Sequence, residues 1–188
     1  MSIAKKLAVF LSLGIFFFLP AVSHGQEPEK FELISLGIRV GQNLGGIPPK
    51  EKHKFNEYDV FGIFAFPGSW EWPQGWEGRY LWFASAGLLH GGGENGFIST
   101  TGPGVSFTRR DWNMSLELGS GLAFVSNQHY NEQEFGGHVQ IIVQGGVFYH
   151  FPENIVGGWR FQHFSDAGLY GSNNRGVDLH FLELSYRF

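Results

Sequence analysis

The chain has no cysteine among its 188 residues. That excludes disulfides, a thiol nucleophile and a zinc–thiolate cluster, so stability rests on hydrogen bonding and packing alone. Positive charge is also scarce, with 13 Lys and Arg against 17 Asp and Glu. Long apolar runs are the third shortage. The one that stands out lies near the N-terminus, from Leu7 to Leu19, broken only by Ser12 and Gly14. Lys5 and Lys6 precede it, Pro20 and small residues follow it, and it is short for a bilayer span. Residues 1–25 therefore read as a secretory signal peptide cleaved after Gly25, leaving a mature chain, 26–188, of one-domain size. Without Lys5 and Lys6 the balance is 11 basic to 17 acidic residues, a net charge of −6. Nothing in it resembles an electrostatic footprint for nucleic acid.

Glycine and aromatic residues are abundant: 28 Gly, 20 Phe, 6 Trp and 6 Tyr. The mixture is poor helix material and suits a barrel. Strand-like segments fall near 32–42, 57–67, 78–90, 96–109, 113–126, 138–151, 155–166 and 176–188. Eight is an even number, and the chain is long enough for each segment to cross a bilayer as a tilted strand. The expected fold is all-β, an eight-stranded antiparallel transmembrane β-barrel over 26–188.

Alternation assigns the faces. In the first strand Ile34, Leu36, Ile38 and Val40 oppose Ser35, Gly37, Arg39 and Gly41. The fifth sets Met114, Leu116, Leu118, Leu122 and Phe124 against Ser115, Glu117, Gly119 and Gly121. The sixth sets Val139, Ile141, Val143, Val147 and Tyr149 against Gln140 and Gln144. A soluble sandwich or a lipocalin-like barrel would alternate too, with its apolar face in a core. The signal peptide, the aromatic content and the terminal Phe188 favour lipid. Arg39, Glu117, Arg160, Glu183 and Arg187 then face the lumen. Trp70, Trp72 and Trp76 fall in a connection, 67–76, anchored at an interface.

The seventh strand carries an anomaly. Ile155, Trp159 and Phe161 define its lipid face, and by period two His163 and Ser165 share that face. The eighth strand puts Asp178 and His180 outward with Leu182, Leu184, Tyr186 and Phe188. Folding the intervening GLYGSNNRG as a hairpin brings Asp178 back beside 163–166. Polar groups on a lipid face are costly and call for a functional explanation. The chemistry that uses these three is acyl transfer: Ser165 as nucleophile, His163 as base, Asp178 as the carboxylate that orients the imidazole. Backbone amides at Ala167 and Gly168, with the Asn174 side chain, are candidate oxyanion donors. Asp166 is a rival third member, but it faces the opposite side of an ideal strand.

The stretch His163, Phe164, Ser165, Asp166, Ala167, Gly168, then Asn174, Gly176, an acid at 178 and a terminal aromatic strand, resembles the lipid A 3-O-deacylase (PagL-type) outer-membrane barrels. The match covers roughly the last 30 residues. It implies hydrolysis of the ester-linked acyl chain at position 3 of lipid A, without a cofactor, by a Ser-His-acid triad in the outer membrane. It further implies lipid A or lipopolysaccharide as substrate and outer-membrane lipids as surroundings, and leaves a homodimer open. Two positions depart from the pattern: Asp166 stands where Asn is usual, and Asp178 where Glu is usual, after a turn that reads one residue longer.

The remaining signals favour structure. Residues 91–96 form a glycine-rich loop tip with no Gly-Lys-Ser/Thr to make it a phosphate loop. His53, His90, His129, His138 and His150 are scattered without metal spacing, and His180 reads as an interfacial residue near the site. The rival functional class is a non-catalytic small barrel with a structural or adhesive role.

Overall fold

The computed structural model describes residues 30–44, 53–170 and 176–188. The expected signal peptide lies outside them, and so does Asn174. Eight strands form the wall: β1 (Glu32–Gln42), β2 (Phe55–Glu71), β3 (Trp76–Gly91), β4 (Glu94–Arg109), β5 (Met114–Val125), β8 (Val139–His150), β9 (Ile155–Ser165) and β10 (Val177–Arg187). A two-stranded excursion, β6 (His129–Tyr130) and β7 (Gln133–Glu134), sits between β5 and β8. Each wall strand pairs antiparallel with its neighbours in chain order, and β10 pairs back onto β1 from Ser35↔Arg187 to Gln42↔His180, closing the barrel. Closure leaves no sheet edge, which is what hydrocarbon demands of a strand protein.

The outer wall is apolar. Ile38 is 60% and Leu182 67% exposed, among a belt that includes Leu36, Val40, Leu118, Val143 and Leu184. A water-soluble barrel of this size would not display so continuous an apolar surface, so the barrel is a transmembrane one. One end carries both chain ends of the barrel and the short connections, including the single turns at Arg110–Trp112 and Pro152–Asn154. This is the periplasmic end by the usual asymmetry of such barrels, and the opposite, extracellular end carries the longer excursions.

Two irregularities correct the simple alternation. The β1–β2 register shifts between Leu33 and Ser35, so Leu33 lies outside while Ile34 packs on the inner cluster of Phe61, Ile63 and Leu81. Ile34 is thus not a lipid-facing residue. The second shift, between Ala65 and Ser69, takes up Pro67, which cannot donate to a ladder, and Gly68 at φ 91°. Beyond it β2 resumes to Glu71, so Trp70 belongs to a strand and the connection itself is only 72–75. Trp70 still anchors a periplasmic-end aromatic cluster, 5.9 Å from Trp72 and 4.9 Å from Tyr80 between ring centres. The loop tip expected at 91–96 is a two-residue turn, Gly92 and Gly93, both at positive φ.

The lumen is filled. At mid-height, Arg160 donates from Nε to Glu183 (2.7 Å) and from Nη2 to Glu117 (2.8 Å), with its guanidinium over the rings of Phe83 and Phe148. Arg39 makes the parallel pair with Asp59 at 2.7 and 2.8 Å, and lies over Phe181. Towards the extracellular end an apolar plug of Phe55, Leu89, Ile142, Phe164 and Phe181 is completed by Tyr130 and Phe135, which the β6–β7 excursion folds into the mouth. Burial pushes the Tyr130 phenol up to about 12. A cavity of about 50 Å³ at the periplasmic end, lined by Ile34, Glu77, Arg79, Ser115, His150 and Arg187 among others, has room for water and not for a lipid. Among the described residues these side chains occupy the lumen.

Removing Arg160 would strip buried Glu117 of its ion-pair partner and leave buried Glu183 with only Arg39 Nη1, at 3.5 Å. Arg160→Met should therefore destabilise by about 3–5 kcal/mol. The temperature at which the folded barrel loses its compact electrophoretic mobility should fall accordingly; an unchanged transition would show the ion bridge to be dispensable.

Candidate active site

The anomaly on β9 is real in three dimensions. Phe164 points inward, Asp166 just beyond the strand is buried, and His163 and Ser165 lie on the outer wall at its extracellular rim. The β9–β10 ladder pairs His163 directly with Asp178, and this register rather than proximity in sequence brings the acid to the imidazole. His163 Nδ1 stands 2.5 Å from Asp178 Oδ1, and Nε2 stands 3.2 Å from Ser165 Oγ. The ring is 32% exposed, whereas the Asp178 side chain is 3% exposed. A carboxylate only accepts, so Nδ1 carries the proton and Nε2 presents a lone pair to the Ser165 hydroxyl. That is the tautomer a general base needs.

A second histidine–serine contact shows that the arrangement is not generic. In the lumen His150 Nε2 lies 3.0 Å from Ser115 Oγ, but its Nδ1 faces Arg187 Nη1 at 3.3 Å. Arginine only donates, so His150 Nδ1 accepts and Nε2 must donate to Ser115. This pair has the reverse polarity and cannot take a proton from its serine.

The turn after Ser165 departs from expectation in one respect. Gly168 N, a candidate oxyanion donor, instead donates to Asp166 Oδ1 at 2.7 Å, and Tyr170 N donates to Oδ2 at 2.9 Å. The carboxylate turns back on its own loop, as Asp does in turns, and occupies that amide. Ala167 sits between them at φ 51°. Both Asp166 carboxylate oxygens are taken up by the turn, and it is Asp178 that meets His163. His180 lies two residues below Asp178, with its ring 5.7 Å from Trp159 and 5.3 Å from Phe161.

Gly176 had a place in the sequence pattern but no role. A Cβ there would lie 2.8 Å from His163 Cε1, 3.0 Å from Ser165 Cβ and 2.7 Å from Phe164 O. The absent side chain is the space in which the imidazole stands. Only the facing of β9 could have hinted at this, since the contact depends on where β10 begins.

A family model described as lipid A 3-O-deacylase (PagL) matches residues 58–187. The chain belongs to this family. The matched span includes His163, Ser165, Gly176 and Asp178, and omits β1. Among solved structures, the crystal structure of the outer membrane enzyme PagL is similar with a TM-score of 0.65 at 19% identity, over 82% of this chain and 99% of that one. It shares the barrel fold. A de novo designed transmembrane β-barrel (TM-score 0.47, 13% identity, 87% and 100% covered) and the Yersinia pestis outer membrane protein Ail in a phospholipid nanodisc (0.44, 13%, 82% and 99%) are more distant. No curated protein sequence matches significantly.

If Gly176 makes room for the imidazole, Gly176→Ala should displace His163 and push locally on the Phe164 carbonyl. The downfield proton resonance of a histidine Nδ1–H bound to a carboxylate should be present in the parent protein and lost in the variant. Its persistence in Gly176→Ala would mean that the ring does not need that space.

Proposed function

We propose that the protein is an outer-membrane esterase that removes the ester-linked acyl chain from position 3 of lipid A, with Ser165 as nucleophile, His163 as general base and acid, and Asp178 as the group that orients His163. The observation that carries this reading is the hydrogen-bonded line Ser165–His163–Asp178 on the lipid-facing wall at the extracellular rim. A soluble substrate has no reason to be met there. An acyl chain lying in the outer leaflet presents its ester at that depth. Membership of the PagL family supports the same substrate.

In the forward step Ser165 Oγ bonds to the ester carbonyl carbon while His163 Nε2 takes the hydroxyl proton. The imidazolium so formed is held by the Asp178 carboxylate across Nδ1. Collapse of the tetrahedral intermediate breaks the bond to the sugar oxygen, and His163 returns the proton to that oxygen. Water then attacks the acyl-enzyme with His163 again as base, releasing the fatty acid and free Ser165. Each oxyanion donor is typically worth about 10² to 10³ in rate. With Gly168 engaged by Asp166, the backbone candidate is the Ala167 amide, two residues after the nucleophile, and Asn174 is its proposed side-chain companion. Asp178 is one methylene shorter than the Glu usual in the family, and the direct cross-strand pairing accommodates the shorter acid. We further place the mature chain in the outer membrane after removal of residues 1–25, with no cofactor in the reaction.

The protein should fractionate with the outer membrane, and lipid A from cells that make it should lose the mass of one 3-hydroxyacyl group. In cells making Ser165→Ala the barrel should assemble and the mass should stay. Asp178→Asn should lower turnover by about 10⁴, as expected when the wrong hydrogen-bond partner faces the imidazole, whereas Asp178→Glu should retain part of the activity. Full activity in assembled Ser165→Ala would remove the nucleophile from the mechanism.

A further inference from the structure

The turn beyond Ser165 is tied down by groups that take no part in the proton line. Three consecutive amides donate to one residue: Gly168 N to Asp166 Oδ1, Leu169 N to the Asp166 carbonyl (3.0 Å) and Tyr170 N to Asp166 Oδ2. Inside this cap Ala167 is held in the left-handed region, which a residue with a Cβ occupies only under constraint. The cap is anchored to the segment just before β8. The Tyr170 ring lies against Gly137, where a Cβ would stand 2.3 Å from its Cε2 and Cζ, and a Cβ at Gly136 would stand 2.8 Å from Tyr170 Cβ. The neighbouring Phe135 packs 5.4 Å from Phe164, the residue between His163 and Ser165. Fully buried Gln140 fixes the segment itself, its Nε2 donating to Phe135 O (3.0 Å) and Gly137 O (2.8 Å). Residues 135–137 therefore touch the chain on both sides of Ser165, at Phe164 inside the barrel and at Tyr170 in the turn beyond β9.

We propose that the Asp166 cap and its seat on residues 135–137 form a latch that sets the position of Ser165 against His163, making Asp166, Tyr170, Gly137 and Gln140 positioning residues for the reaction. The inference rests on Ser165 being the nucleophile. Tyr170 acts through the area of its ring, and Gly137 by having no side chain in the ring's place. A latch of this kind governs the chemical step and not the hold on the substrate, since displacements near 1 Å in a reacting group cost up to about 10² in rate.

The test uses the full-length mature protein in detergent micelles, confirmed as folded by heat-modifiable migration, with purified lipid A as substrate. A fluorophosphonate probe serves as a reporter of Ser165 reactivity that needs no lipid recognition. Tyr170→Ala should lower kcat about tenfold or more and slow labelling of Ser165 in parallel, with KM changed less than about threefold. Tyr170→Phe should restore most of both. Gly137→Ala should reproduce the loss, and the double variant Gly137→Ala/Tyr170→Ala should be no worse than Tyr170→Ala alone, because the clash disappears with the ring. Unaltered kcat and labelling in Tyr170→Ala, a loss confined to KM, or additive losses in the double variant would overturn the latch while leaving the esterase reading intact. A parent protein that neither cleaves lipid A nor takes the probe at Ser165 would overturn both.

Discussion

Hydrocarbon offers no partner to a backbone amide, and the rest of this molecule follows from that constraint. A strand protein in lipid must close its sheet, and closing it fixes every register around the wall. The β10–β1 seam, from Ser35↔Arg187 to Gln42↔His180, completes the ring of ladders. Once it and the β9–β10 ladder are set, His163 has Asp178 opposite it and no other choice. The side-chain constellation is thus a by-product of backbone accounting. A slip of one residue in β9 would turn His163 and Ser165 into the lumen and Arg160 out into lipid, and the buried bond of Arg160 to Glu183 opposes that slip.

The wall tolerates this polar trio because the three groups satisfy one another. Asp178 is almost fully covered and spends its charge on an imidazole N–H, and Ser165 has the free nitrogen of the same ring. Placement at the rim reduces the cost further, since the penalty for polar groups on a barrel exterior falls towards the interface. The aromatic rings of Trp159, Phe161 and His180 lie just below and keep that strip of wall apolar up to the site.

Much of this was legible in the sequence, because period-two alternation is a strong signal when one face meets lipid. It placed Arg160 and Glu183 inside, His163, Ser165 and Asp178 outside, and the eight strands close to their true limits. It failed where the period breaks. Ile34 was expected outside, but the shift beside it turns it inward, and a bulge leaves no mark that alternation can register. The continuation of β2 through Trp70 was hidden by Pro67 and Gly68, which read as a loop and act as a bulge. The plug residues Tyr130 and Phe135 lie in a segment without alternation, and their burial depends on the shape of a mouth built by other strands. At the site, Gly168 looked available because the sequence does not say which way the Asp166 carboxylate turns. Gly176 matters through a contact across the hairpin that depends on where β10 begins.

The plugged mouth has a kinetic meaning for the proposed reaction. Phe55, Tyr130, Phe135 and Phe164 fill the outer end of the barrel among the described residues, and Ser165 is approached from the outside of the wall. Substrate and product must come and go sideways, by diffusion within the leaflet. Encounter is then two-dimensional, and the quantity that sets its frequency is the number of lipid molecules per unit of membrane area. Diluting the cells or the vesicles in buffer leaves that number unchanged. Diluting the substrate with another lipid in the same membrane lowers it, and the rate follows the mole fraction at the surface rather than the concentration in the tube.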